Sequence, residues 1–307
     1  MSAQYPQNDV TNSVDLCDAQ AVADAVCVIA GRRYSGFDPN PLRQGFTDMA
    51  QACAGRYPGL LMCDTPYHDL RHFLDVALLM ARLVDGYEMR EDANDPLSAE
   101  QFSVAVLLAL FHDVGLLRRA NEAHLQGAAL TGNHERRGVD FMWDYLARGQ
   151  LAPFADQAAL ILVTDMTCPV AESLRGLPVK QLCIGQMLGT ADLLSQLSGR
   201  YYLENCRDAL YSEFVISGAN RTVLANGETQ VLYESPQDLL RKTPAFFENI
   251  AKSRLEQDFA QVYRHLVSHF GGDDPYARGM YRNLAYIEQL AARNDFSGLR
   301  RIFRARL

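Results

Sequence analysis

The sequence has no CxxC pair, no apolar run longer than Val104 to Phe111, a single tryptophan and fewer basic than acidic side chains. Each shortage excludes something. The 7 cysteines, at positions 17, 27, 53, 63, 168, 183 and 206, are odd in number and widely scattered, so they suit neither a disulfide framework nor a thiolate metal cluster and read as reduced thiols. A membrane helix needs roughly 20 consecutive apolar residues, so no membrane partner is expected. With 29 Lys and Arg against 37 Asp and Glu, the formal charge is -8, and a general binder of nucleic acid polymers is excluded because it needs surplus cations to neutralise phosphates. Met1 to Asp18 have neither a basic start nor an apolar centre, so no signal peptide and a cytoplasmic location are expected.

What the chain does contain is helix. Its 307 residues, 48% hydrophobic and 21% charged, are enough for two domains or one large helical one. Phe73, Val76, Ala77, Met80, Leu83 and Val84 repeat at helical spacing and predict an amphipathic helix with one buried face. Similar stripes predict helices near 15–31, 40–55, 98–113, 134–148, 153–165, 179–198, 201–214, 237–250, 253–269 and 276–293. Only Arg221 to Tyr233 alternates as strands do, with Asn226-Gly227 placed for a hairpin turn. The expected fold is all-α. An N-terminal helical extension is expected over 1–55, a central body over 56–270, and a C-terminal helical extension over 271–307 after Gly271-Gly272-Asp273-Asp274-Pro275.

Chemistry-bearing residues concentrate in the central body. His68, His72, His112, His124 and His134 fall within one stretch of the chain, and carboxylates accompany several of them. Imidazole with carboxylate suits divalent cations. In Tyr67-His68-Asp69-Leu70-Arg71-His72 a helix starting near Pro66 would put both histidines on one face. The plainer alternative is a polar helix start. His112-Asp113 closes an apolar helix, where a buried carboxylate is costly unless paired or bound to a metal. Its alternative is a helix end with Gly115 as cap. Asp192 stands among Met187, Leu188, Leu193 and Leu194, either in a solvated stripe or facing an ion.

The order of these pieces resembles the HD superfamily of metal-dependent phosphohydrolases, and within it the class I cyclic-nucleotide phosphodiesterase branch. Tyr67 to Val76 is similar to the family's Y-H-N-x-x-H-A-x-D-V segment, Leu110-Phe111-His112-Asp113 to its L-x-H-D, Val163-Thr164-Asp165-Met166 to its A-T-D-M, and Thr190-Ala191-Asp192-Leu193 to its C-A-D-L. The resemblance covers about residues 60–250 and implies an HD-domain, PDEase-like helical bundle. It implies that His72, His112, Asp113 and Asp192 bind a first divalent metal ion, with Asp113 bridging to a second. It further implies that His68 is the general acid and that Thr164 and Asp165 lie in the polar shell around metal-bound water. Manganese, magnesium, zinc and iron all suit such donors.

Two departures accompany the resemblance. Leu116 stands where the phosphodiesterase pattern has a second histidine after His112-Asp113; His124 or His134 could compensate, and His134, in Asn133-His134-Glu135 at a helix start, is the preferred supplementary ligand. The family's purine-holding glutamine is absent from Thr243-Pro244-Ala245-Phe246, leaving Phe246 as one wall of a base slot or a core aromatic. Arg71, Arg118, Arg119, Arg136 and Arg137 could engage phosphate, or form solvated faces, and Arg71 is the chosen candidate for substrate binding. The expected activity is metal-dependent hydrolysis of a phosphodiester, or phosphomonoester, in a nucleotide-like small molecule by metal-bound hydroxide. Two alternatives stay open: a mixed-valent di-iron oxygenase using His72, His112, Asp113, His124, His134 and Asp192, and a non-catalytic nucleotide-binding scaffold. A homodimer built through the flanks is one arrangement the sequence allows.

Overall fold

The computed structural model describes residues 8–90, 95–224 and 226–300. Its α-helices are α1 (Ala19–Arg33), α2 (Asn40–Cys53), α3 (Leu70–Glu88), α4 (Ala99–Phe111), α5 (His134–Ala147), α6 (Val170–Ser173), α7 (Val179–Ser198), α8 (Tyr202–Asn205), α9 (Tyr211–Ser217), α10 (Pro236–Phe246), α11 (His265–His269) and α12 (Pro275–Arg293). The only strands among the described residues are β1 (Arg221–Val223) and β2 (Thr229–Val231), paired antiparallel with Arg221 opposite Val231. The fold is all-α, and the hairpin falls where period-2 alternation predicts it.

The centre is built on α3 and α4. Ser98 caps α4 by accepting from Gln101 N while the Gln101 side chain accepts from Ser98 N, a reciprocal pair that fixes the helix start. Every residue of α4 from Phe102 to Phe111 is buried, as a helix apolar on all sides must be. Together with the turn after it, Ala99–Leu116 is long and apolar enough to span a membrane, yet 83% of it is buried inside the fold. α3 packs against α1, α4, α7 and α11, so it is buried nearly all round from Phe73 to Tyr87 rather than on the one face its periodicity predicts. One continuous apolar core runs from Leu16 through Leu299, joining α1 and α2 at one end of the chain and α12 at the other. Asn283 of α12 donates to the carbonyls of Leu197 and Gly199, fastening that helix to the end of α7.

Three predicted helices differ in detail. Ala152–Thr164 is a run of 3-10 turns packed on α5, and Thr164 Oγ1 donates back to Ile161 O at 2.8 Å in keeping with that tighter winding. The stretch expected as one helix over 253–269 is broken: Ala260 and Gln261 take positive φ, and Phe259 lies over Gly189 of α7, where a Cβ would overlap its ring. After α8, the chain passes through a π turn at Cys206–Leu210 into α9, which ends at Gly218 with φ 82°.

Candidate metal centre

Four separate pieces of chain bring the donor side chains together. His68 lies in the bend before α3 rather than on the helix, because α3 starts only at Leu70. Asp69 caps that helix by accepting from His72 N at 3.2 Å, which sets His72 in the first turn. The His68 and His72 rings still meet edge to face, 5.4 Å apart. α4 delivers His112 and, one residue on, Asp113, both buried at its C-terminal end. α7 delivers Asp192 from its middle.

The tautomers are fixed by the backbone. His112 Nδ1 lies 2.8 Å from Ala109 O and His134 Nδ1 lies 2.7 Å from Thr131 O. A carbonyl only accepts, so both Nδ1 atoms carry hydrogen, and each Nε2 is left to face the cluster. His134 reaches it because Gly115 lets the start of α5 press against the turn after Asp113; a Cβ on Gly115 would overlap His134 O. His68 is oriented by Glu213 of α9. Its Nδ1 donates to Glu213 Oε2 at 2.5 Å, while Glu213 Oε1 accepts from the backbone N–H groups of Tyr67 and His68.

The resulting contacts are short. His72 Nε2 lies 3.3 Å from His112 Nε2. Asp113 Oδ2 lies 3.1 Å from His112 Nε2, 3.5 Å from His72 Nε2 and 3.8 Å from His68 Nε2, whereas its Oδ1 lies 3.0 Å from His134 Nε2. Asp192 Oδ1 is 3.4 Å from His112 Nε2 and 3.6 Å from His72 Nε2. The donor atoms of His68, His72 and Asp113 lie within 4.8 Å of one another, as do those of His72, His112 and Asp192, and either group could hold a metal ion. A set of imidazole nitrogens and carboxylate oxygens without sulfur fits a divalent cation such as manganese, zinc, iron or magnesium.

Electrostatics follow from burial of opposite charges. Burial alone would raise the Asp113 carboxyl, but His112, then His134 and His68, hold it well below the carboxylate range. Burial would lower His112, yet Asp113 and Asp192 push it well above the usual imidazole value. Burial likewise opposes the charge on His68, and Glu213, followed by Asp113, outweighs it and raises His68 to about 9.

The remaining expected residues fall elsewhere or at the edge. Thr164 is buried, and Asp165 accepts from Thr167 N and Oγ1 while acting electrostatically on Glu135. Arg71 lines a cavity of about 820 Å³ with Asp75, Arg200 and Tyr201, and none of the clustered donors lines it. Phe246 is half-buried against the core at the end of α10. His124 is exposed on a turn, and among the described residues no hydrogen bond or ion pair links it to the cluster. Leu116 is buried. Sequence reasoning missed Glu213, the neighbouring Glu135, whose carboxylate lies 3.2 Å from His134 Nδ1, and the buried Arg254. Glu213 did leave a signal: with Cys206, Ala209 and Leu210 it completes an apolar helical stripe, so a carboxylate stands where the core is.

No protein-family model and no curated protein matches the chain. Among solved structures it is similar to the phosphodiesterase domain of the RhoPDE fusion protein from the choanoflagellate Salpingoeca rosetta. The TM-score is 0.56 over 96% of this chain and 97% of that one, at 14% identity. The likeness is one of fold: over the described residues this chain has a PDE-like all-α architecture.

Proposed function

We propose that the protein is a divalent-metal-dependent phosphohydrolase that cleaves a phosphodiester, or a phosphomonoester, of a nucleotide-like small molecule. The observation that carries this reading is the convergence of His72, His112, Asp113 and Asp192, from three helix regions, onto one buried point. A divalent cation bound there lowers the pKa of coordinated water toward neutrality and offsets charge on a phosphate. His72, His112, Asp192 and Asp113 Oδ2 would hold it. The opposite oxygen of Asp113 faces His134, which supports a second, weaker position on that side, where Leu116 offers no polar atom.

His68 has the features of a proton donor. Glu213 fixes Nδ1, so Nε2 points toward the cluster, and the ring keeps its proton up to about 9. Thr164 and Asp165 belong to the polar rim in this reading, and Phe246 is retained as a candidate wall for a base. Arg71 is not, since it lines a different cavity. The oxygenase alternative lacks its sixth ligand, because His124 stays outside the cluster.

Chelator-treated protein reloaded separately with manganese, magnesium, zinc or ferrous iron, and offered bis-p-nitrophenyl phosphate, cyclic mononucleotides, cyclic dinucleotides and phosphomonoesters, tests the proposal. Metal-dependent phosphate ester cleavage is expected, with His112→Ala and Asp113→Ala losing both metal content and activity. Retention of both in these variants refutes it, and iron-dependent oxygen uptake without ester cleavage replaces it with the oxygenase reading.

A further inference from the structure

The spacing of the cysteines hides a pair of thiols that the fold brings together. Cys53 ends α2, and Cys63 lies in the strap between α2 and α3. The strap turns back on itself at Gly55, which takes φ 68° and whose missing Cβ makes room for the backbone of Met62. Cys63 N then donates to Cys53 O at 3.0 Å. That bond sets the two residues side by side, and both are free thiols, half-buried. Each has a second neighbour: Cys63 Sγ lies 3.1 Å from Thr65 Oγ1 and 3.4 Å from His68 O, and Cys53 Sγ lies 3.7 Å from Met49 Sδ. The neighbouring Cys53 thiol, assisted by the Thr65 backbone N–H, holds Cys63 below the ordinary thiol range against its burial. The Cys63 sulfur, together with burial, pushes Cys53 up. Cys63, whose sulfur lies beside a hydroxyl, is the nucleophile, and Cys53, whose sulfur lies beside a thioether, is its partner, the division of labour found in redox-active pairs.

We propose that Cys53 and Cys63 form a reversible dithiol–disulfide pair oxidised by a hydroperoxide, in the strap that leads to His68. The Cys63 thiolate attacks hydrogen peroxide; the S–O bond forms, the O–O bond breaks, and the departing hydroxide takes up the thiol proton as water. Cys53 sulfur then attacks the Cys63 sulfenic acid. The Sγ–Sγ bond forms, the S–O bond breaks, and the second hydroxide leaves as water with the Cys53 proton. Two thiols are oxidised to one disulfide, and one peroxide is reduced to two waters. Oxidation also removes the Cys63 S–H that faces His68 O and leaves Thr65 Oγ1, at 2.6 Å, as the remaining side-chain donor to that carbonyl. This inference stands independently of the proposed phosphohydrolase activity.

The test uses the reduced full-length protein without added metal. It is treated with stoichiometric hydrogen peroxide, alkylated with iodoacetamide and digested with trypsin without reduction. Cleavage after Arg56 puts Cys53 and Cys63 on different peptides. The expected product is a peptide pair joined through these residues, lighter than the summed thiol peptides by about 2 Da and separated again by dithiothreitol. Cys53→Ser should stop at a Cys63 sulfenic acid that dimedone traps, and Cys63→Ser should leave Cys53 fully alkylated. Full alkylation of both cysteines in the wild-type protein after peroxide, or linkage of either to another cysteine such as the exposed Cys17, overturns the proposal.

Discussion

Replacing Glu213 separates its structural from its chemical part. The carboxylate is buried and accepts from Tyr67 N, His68 N and the His68 ring. In Glu213→Ala the two backbone donors lose their acceptor away from solvent, at about 1–3 kcal/mol each, so unfolding should become easier by about 2–6 kcal/mol. Glu213→Gln keeps one oxygen for those donors and should stay within about 1 kcal/mol of the parent. Its amide NH2 then faces His68 Nδ1, however, and two donors cannot share that contact, so the ring can no longer be held as an imidazolium. If His68 protonates the departing oxygen, the Gln variant should lose about 100-fold or more in rate on a substrate with an alkoxide leaving group. With p-nitrophenolate, which leaves without a proton, the loss should be only about threefold. Denaturant melts with single-turnover rates on the two substrates provide the measurement. Equal slowing on both substrates, or a Gln variant as unstable as the Ala variant, refutes the reasoning.

Gly115→Ala places a methyl group on His134 O and should destabilise by about 1–3 kcal/mol, with the His134 to Asp113 contact broken; an unchanged melt and unchanged His134 ring resonances contradict the packing. Arg82 Nη1 donates to Asp9 Oδ2 at 2.7 Å and Tyr276 OH at 2.6 Å in a buried site, so Arg82→Met should cost about 3–5 kcal/mol, and adding Asp9→Asn should restore part of it in denaturant titrations. Burial pushes Asp9 and Asp85 up, but Arg82 for the first, and His269 with Arg33 for the second, leave both below the ordinary carboxylate value. Their stabilisation is therefore complete above the unfolded value of about 3.9 and is lost as pH falls through the lower folded values; Asp9→Asn should flatten that acid limb, and an unaltered limb contradicts the assignment.

The elements most legible in the sequence are those whose local and tertiary preferences agree. The apolar run of α4 with the Ser98 to Gln101 box, the α7 stripe and the Asn226-Gly227 hairpin could hardly be arranged otherwise. The stretch 253–269 was not legible as a broken helix, because its periodicity says nothing about Phe259 seeking the space over Gly189. The same division holds at the cluster. His72, His112, Asp113 and Asp192 are conspicuous as polar groups in apolar or paired settings, whereas Glu213 is separated from His68 by more than a hundred residues and meets it only through the packing of α9. His68 was expected on a helix and sits in a bend, and the capping of α3 by Asp69 is the reason. The Cys53 to Cys63 contact depends on the positive φ of Gly55, which no spacing rule reveals.

If the protein acts on phosphate esters as proposed, charge decides how the anion enters. Of the arginines expected to meet phosphate, Arg118 is tied to Asp64 at 3.2 Å and Leu125 O at 2.9 Å, and Arg137 to Glu122 at 2.7 Å and Gly115 O at 2.8 Å. The buried Arg254 donates to the carbonyls of Val163, Asp165 and Cys168. The cluster itself carries Asp113 and Asp192, with Glu213 and Glu135 behind them. A phosphate approaching this chain alone meets those four carboxylates against the raised imidazoles of His112, His134 and His68, and each carboxylate left uncompensated about 5 Å away repels it by several kcal/mol even at an effective dielectric constant near 20. A cation in the cluster reverses that sign. Linkage then requires the factor by which the cation tightens phosphate binding to equal the factor by which phosphate tightens cation binding. Calorimetry of inorganic phosphate with and without manganese should give a coupling of at least about tenfold, or ~1.4 kcal/mol. Equal phosphate affinity in both titrations would mean that the arginines, not the clustered donors, receive the anion.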